Sequence, residues 1–263
     1  MRVVDLDRDM SDVIPTATSV DSEFLFQRME DATLNALLAR PGARVLDCAS
    51  GVGQDDRRLA KEGIWAVGSE PSARMLALAR VQDAERPAEV QRVRAWSEVL
   101  PFRTDSFDGA FCKGALDHFD DPLGCVRELA RVTRPEGRVV LAVANFDSLG
   151  CRLARLRDRF QRGRNTKGRR HYDVPSDHFT RYDPQLLREQ LQPYLALEEW
   201  TGVSLLWGVR AWAALLGRVP RAWAERLLRF ADRVAQRLPA LADVIVVAGC
   251  PAADAAPARG LRD

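Results

Sequence analysis

Lysine is nearly missing from this chain of 263 residues: Lys61, Lys113 and Lys167 are the only three among 39 basic side chains, so the positive charge is almost all arginine. With 37 acidic residues the formal charge is +2, which excludes a polyelectrolyte built as a whole to hold nucleic acid. Histidine is as sparse. His118, His171 and His178 are too dispersed to frame a metal site, and no metal is expected. The five cysteines, Cys48, Cys112, Cys125, Cys151 and Cys250, are odd in number and form no CxxC pair, which points to reduced, buried thiols. A long apolar run is lacking too: the richest region, 203–219, is broken by Arg210 and Arg218 and cannot span a bilayer. The opening MRVVDLDRDMSD is acidic and has no apolar signal-peptide core, so a cytoplasmic protein is expected.

What is present is an alternation of short β-like runs with helical periodicity. A helix is expected over 21–39, strands at 44–48, 64–68, 90–94, 107–112 and 138–144, and helices at 55–61, 72–80 and 123–132 between them. Strand and helix repeated in this way predict an α/β fold with a mostly parallel sheet covered on both faces. Ligands of such sheets bind at the carboxyl ends of the strands.

The first of those ends reads VLDCASGVGQ, residues 45–54. Gly51 and Gly53 permit a sharp turn and close approach to the main chain, and a helix start adds free N–H groups. Glu70 ends the second strand, 17 residues after Gly53, where a carboxylate can accept the two hydroxyls of a ribose. No GxxxxGK[ST] follows any strand, which excludes a P-loop. A dinucleotide fingerprint needs glycine at position 56, where Asp56 stands beside Asp55, and a pyrophosphate would meet that carboxylate pair. An adenosine ligand without phosphate and with positive charge suits Asp47, Asp55 and Asp56, and S-adenosylmethionine fits that description. The bland alternative, a tight strand-to-helix turn with no ligand, stays open on the glycines alone.

Four ordered blocks add to this: VLDCASGVGQ, AVGSEPSARMLALAR, SEVLPFRTDSFDGAFCKGALDHFDDP and ELARVTRPEGRVVLAV. Through them residues 21–146, and loosely the remainder to Val247, resemble the class I S-adenosylmethionine-dependent methyltransferases, in particular their small-molecule branch. The resemblance implies a Rossmann-like seven-stranded sheet whose last strand is antiparallel. It places Asp47, Ala49, Gly51 and Gly53 at the methionine end of the cofactor and Glu70 on the ribose. Pro71, Ser72 and Met75 would border the adenine, with Trp96, Ser97 and Glu98 beside it, and Cys112 and Lys113 would face the amino-acid moiety. The sequence departs from the family at two points: Ala49 replaces its first glycine, and Trp96 replaces an aspartate that accepts from the adenine amine. Indole is a donor only, so Trp96 can stack on or wall the base but cannot accept that bond.

Asp117 and His118, just past the fourth strand, stand where the resemblance puts the acceptor. His118 suits a general base and Asp117 an orienting carboxylate, or both simply shape the turn before Pro122. The implied reaction is an in-line displacement on a sulfonium that the protein promotes by alignment and water exclusion. His178, Phe179 and Tyr182 are the candidate acceptor contacts.

The expected organisation is one methyltransferase domain over 1–250, a basic lid-like insertion at 151–180, a helical insertion at 207–240 between the last two strands, and a disordered tail at 251–263. Residues 151–170 carry eight arginines and Lys167 against Asp158, open to an anionic substrate, an acidic membrane, RNA or plain solvent. Within 207–240, Trp223, Leu227, Phe230, Val234 and Leu238 recur at helical spacing beside Arg226, Arg229, Arg233 and Arg237. That stripe suits packing on its own domain, an anionic membrane or lipid, or a twin subunit in a homodimer. The activity expected is methyl transfer to a small hydrophobic or amphiphilic molecule. A non-catalytic adenosyl-ligand module and an RNA methyltransferase are the rivals, although nucleic acid finds no aromatic-rich accessory module here.

Overall fold

Continuous apolar runs such as VVLAVA can be buried only where both sides of a strand are covered, and the chain meets that demand with a layer of helices on each face. The computed structural model describes residues 19–85, 89–160, 172–173 and 179–253. Its strands are β1 (Arg44–Cys48), β2 (Trp65–Ser69), β3 (Val90–Val93), β4 (Phe107–Lys113), β5 (Thr133–Ala144), β6 (Leu195–Val203) and β7 (Val244–Pro251). They form a seven-stranded sheet in the order β3-β2-β1-β4-β5-β7-β6, in which β7 runs antiparallel to both of its neighbours. The expected α/β architecture is the one observed.

Side-chain parity sorts the core. Leu46, Cys48, Val139, Leu141 and Val143 point to one face, where α4 (Pro122–Val132) and α6 (Pro184–Leu191) cover them. Val45, Val140 and Ala142 point to the other, under α1 (Val20–Ala36) and α2 (Gln54–Lys61). Helix starts follow their capping residues. Asp121 accepts from the Gly124 amide at 2.8 Å with Pro122 as the first helical residue, and Asp183 accepts from the Gln185 and Leu186 amides with Pro184 in that role.

Several expected boundaries move. The first helix ends at Ala36 because Leu38 turns left-handed at φ 52°, and β6, expected near 195–206 ahead of the insertion, stops at Val203 because Ser204 and Leu206 take φ of 60° and 67°. Strand β5 starts at Thr133, five residues early, directly from α4.

Between β6 and β7 stand α7 (Arg210–Leu216), α8 (Arg221–Arg237) and a 3-10 turn at Pro239–Leu241. Helix α8 packs through Ala224, Leu228, Asp232 and Ala235, a face rotated by roughly 100° from the Trp223–Leu238 stripe. The stripe therefore does not bury against the domain as a whole: Leu227 and Val234 are half-buried, while Trp223, Phe230 and Leu238 are exposed. Small residues win the interface because α8 lies very close to β6; a Cβ on Gly202 would sit 2.3 Å from the Ala235 carbonyl oxygen. Asp232 fastens the contact, accepting from Arg28 of α1 at 2.9 Å and from the Ser204 amide at 3.1 Å.

Of the arginine-rich segment, residues 149–160 form helix α5 (Leu149–Phe160), and most of the remainder of 151–180 lies outside the described residues, as do 254–263 of the tail.

Candidate functional site

The strand order reverses between β1 and β4, which opens a crevice at their carboxyl ends. Strand β1 enters it with a run of left-handed residues: Ala49 at φ 62°, Gly51 at 53° and Gly53 at 69°, before α2 begins. Ala49 adopts the conformation that glycine reaches without strain. The two glycines differ in what their bareness serves. A Cβ on Gly51 would meet only the Met75 methyl, at 3.5 Å, and leaves room for a ligand. At Gly53 the space is taken by the Arg92 guanidinium, 2.2 Å from where a Cβ would be.

Glu70, at the end of β2, ties two loops together. One carboxylate oxygen accepts from the Gly51 amide at 3.0 Å and the other from the Ser72 amide at 2.9 Å. Each oxygen keeps a second lone pair. Burial pushes this carboxyl above its ordinary pKa, and the two amide bonds pull it back only in part. Ser72 in turn accepts from the Met75 amide at 3.2 Å and starts α3 (Ala73–Glu85).

Beneath the β1 loop lies a buried chain of charges. Lys113, the last residue of β4, holds Asp55 at 2.7 Å; Arg92 spans Asp56 at 2.8 Å and Asp83 at 2.6 Å; Arg57 also reaches Asp83, at 3.0 Å. With Asp47 counted, four carboxyls face three cations. Asp47 Oδ2 and Asp56 Oδ1 are buried without a donor among the described residues. The two carboxyls lie close enough to share a proton. Burial, then the neighbouring Asp56 and Asp55, raise the Asp47 pKa well above the carboxylate range, and burial raises Asp56 to about 6. This pocket of negative charge accommodates one more proton or one more cation.

The sequence-derived candidates fall into three groups. Asp47, Ala49, Gly51, Gly53, Glu70, Pro71, Ser72 and Met75 gather at the β1 and β2 ends, and Cys112 and Lys113 end β4. After β3, Ser97 is buried and Trp96 and Glu98 are half-buried, Trp96 pairing with Val99 in an isolated bridge. Burial together with Asp121 and Asp120 raises the Glu98 carboxyl. Asp117 and His118 occupy a 3-10 turn, Leu116–His118, past β4. The Asp117 carbonyl accepts from the Phe179 and Thr180 amides at 2.8 and 3.2 Å, which brings the later segment to that turn. Phe179 is exposed, whereas Tyr182 is wholly buried in the core with its hydroxyl donating to Gln190. His178 lies outside the described residues.

Arg92, Asp83 and Arg57 form part of this arrangement and carry no sequence signal, since one arginine among so many is not distinctive. Met29 of α1 is another: its methyl lies 3.7 Å from the Cβ position of Gly114, which turns left-handed just after β4.

Residues 46–141 match the family model described as "Methyltransferase domain". Demethylmenaquinone methyltransferase of Mycobacterium marinum is 36% identical over 130 residues, which are 49% of this chain and 52% of that protein. The chain thus spans about half the length of the curated relatives it matches. Among solved structures, the PH0226 protein of Pyrococcus horikoshii aligns at TM-score 0.59 with 19% identity, over 93% of this chain and 99% of that one. A Haemonchus contortus phosphoethanolamine N-methyltransferase in complex with S-adenosylhomocysteine aligns at 0.56 with 17% identity, over 94% and 60%. At those identities the structural likeness establishes the fold.

Proposed function

We propose that this chain, whose residues 46–141 match a methyltransferase-domain model, is a class I methyltransferase that transfers the methyl group of S-adenosylmethionine to a small hydrophobic or amphiphilic acceptor. The observation that carries the reading is the surplus carboxylate at Asp47. A buried oxygen without a donor, under a loop of left-handed residues, suits a cationic ligand and opposes a phosphate. When bound, S-adenosylmethionine supplies an electrophilic methyl group on a sulfonium.

The residues of this chain do the rest. Gly51 admits the ligand against bare main chain, and the free lone pairs of Glu70 accept the ribose hydroxyls. Asp47 and the Asp55–Lys113 pair set the charge at the methionine end. Ser97, Glu98, Met75 and the Trp96 ring wall the base, with stacking in place of the hydrogen bond that indole cannot accept. At the β4 end, His118 removes a proton from the acceptor where one must leave, and Asp117 holds the turn through its carbonyl. Phe179 offers an apolar contact beside that turn. Tyr182, packed behind it, positions the turn and does not meet the acceptor. The relatives named demethylmenaquinone methyltransferases support an apolar acceptor.

Calorimetric titration with S-adenosylmethionine and S-adenosylhomocysteine, with NAD as control, tests the assignment. Binding of both adenosyl ligands and not of NAD is expected, and Glu70→Ala should weaken it by about 1.5 to 3 kcal/mol. An unaltered Kd in the variant would remove Glu70 from the site, and no binding by the native protein would overturn the reading.

A further inference from the structure

Two helices leave apolar stripes uncovered, and both stripes are edged with arginine. On α8 the aromatic side chains of Trp223 and Phe230 are 58% and 66% exposed, and Leu238 continues the row. With 100° per residue, Trp223, Leu227, Phe230, Val234 and Leu238 fall within roughly 80° of one another on the helix circumference. The buried face lies on one side of this stripe and the row Arg226, Arg229, Arg233 and Arg237 on the other. Arg226 stacks on the Trp223 ring at 5.1 Å, so its stem and the indole form one amphipathic unit.

Helix α5 repeats the pattern. Its domain-facing residues are Gly150, Cys151 and Ala154, while Leu153, Leu156 and Phe160 are exposed, Phe160 at 81%. Those three are spaced three and four apart on one face, with Arg152, Arg155 and Arg159 turned away from it. The stripes meet at a common point: Leu149, the first residue of α5, and Val234 of α8 both pack on the small cluster of Leu205, Ala235 and Ala242. Together the two helices carry nine arginines against Glu225, Asp232 and Asp158, of which Asp232 is buried in the domain; Arg152 and Arg155 pair with Asp147, and Arg221 and Arg229 with Glu225.

A row of exposed Trp, Phe and Leu at helical spacing is more than scattered surface hydrophobicity, and it calls for a cover. A core from a protein partner would satisfy the apolar row and leave Arg226, Arg233 and Arg237, which make no ion pair among the described residues, without a role. A surface with an apolar interior and anionic headgroups satisfies both at once, with aromatic rings at the boundary and guanidinium groups on phosphate. No helix among the described residues is long and apolar enough to cross a bilayer, so the contact is with the surface. We infer that α5 and α8 together dock this chain on an anionic lipid membrane. The inference rests on these two helix faces and not on the methyl-transfer reading.

Flotation of the full chain with vesicles tests it, using phosphatidylcholine with about one third phosphatidylglycerol against phosphatidylcholine alone. The protein should float with the anionic vesicles at low salt and much less at high salt or with neutral ones. Trp223→Ser with Phe230→Ser should reduce the floated fraction at least about ten-fold, and so should Leu156→Ser with Phe160→Ser. Arg233→Gln with Arg237→Gln leaves the apolar row intact and should shift binding to lower salt, which guards against a folding defect in either serine pair. Failure of the native chain to float at low salt overturns the proposal, as does equal flotation of all variants. Sedimentation velocity without lipid covers the remaining occupant: a dimer that Trp223→Ser with Phe230→Ser converts to monomer would mean that a second copy covers the stripe. Adenosyl-ligand titration of the serine variants should match the native protein, so loss of flotation and loss of cofactor binding are read separately.

Discussion

Asp47 illustrates how one carboxyl acquires a task from its surroundings. At the penultimate position of β1 it is buried, faces Asp56 across a gap that contains no donor, and is opposed only partly by Lys113, which is committed to Asp55. Burial, with Asp56 and Asp55 beside it, raises its pKa and favours the protonated form in the absence of a cation. A ligand bearing sulfonium and ammonium charge favours the ionised form, so binding should release a proton and tighten as pH rises. Calorimetry with S-adenosylmethionine in two buffers of different ionisation enthalpy measures that release directly. Asp47→Asn should abolish both the release and the pH slope; equal proton release in native and variant proteins would assign it to another group. Part of this was legible in the sequence, because Asp47, the glycines and Glu70 stand at telling distances from strand ends. The clamp that Arg92 forms over Gly53 was not, since β3 and α2 are brought together only by pairing of β2 with β3.

Among the elements, α8 shows the limit of periodicity. Its sequence has two candidate apolar faces, one bulky and one small, and the bulky one gives the stronger pattern. The domain takes the small one because Gly202 on β6 lets the α8 main chain approach closer than any side chain would allow. Gly202→Ala should therefore push the helix off β6, with a cost of about 1 to 3 kcal/mol read as a lower urea midpoint. An unchanged midpoint would mean that the contact between α8 and β6 contributes nothing to stability. By contrast, the starts of α4 and α6 are set by local chemistry, because an aspartate before a proline supplies a cap and a first residue.

For the molecule as a whole, buried acids set an uncommon pH response. Asp47, Asp55, Asp56 and Glu70 are all raised by burial, and Asp243, at the entrance to β7, is raised to about 7 for the same reason. In the unfolded chain these groups titrate near pH 4, so between about 4 and 7 the folded protein binds more protons, and its stability falls as pH rises. Asp83 and Asp147, lowered by arginines, contribute in the opposite sense, but their stability is already present above pH 4 and is lost only in acid. The urea midpoint is expected to be higher at pH 5.5 than at pH 8. Asp243 accepts from the Trp207 amide at 2.9 Å, and asparagine can keep that bond without a titrating proton. Asp243→Asn should flatten the slope, and a midpoint that rises with pH in the native protein would contradict this account.

The sequence by itself determined the layered α/β architecture and the position of the crevice at the strand ends, since both depend on local periodicity or on spacing from a strand end. Only the tertiary structure decided that Gly53 serves an arginine, that Tyr182 is core, that the Trp223 stripe faces outward and that four carboxyls meet three cations under one loop. These depend on distances between residues far apart in the chain, such as Lys113 with Asp55 and Gly202 with Ala235. Burial and pKa are properties of such neighbourhoods, and the sequence carries them only through the fold.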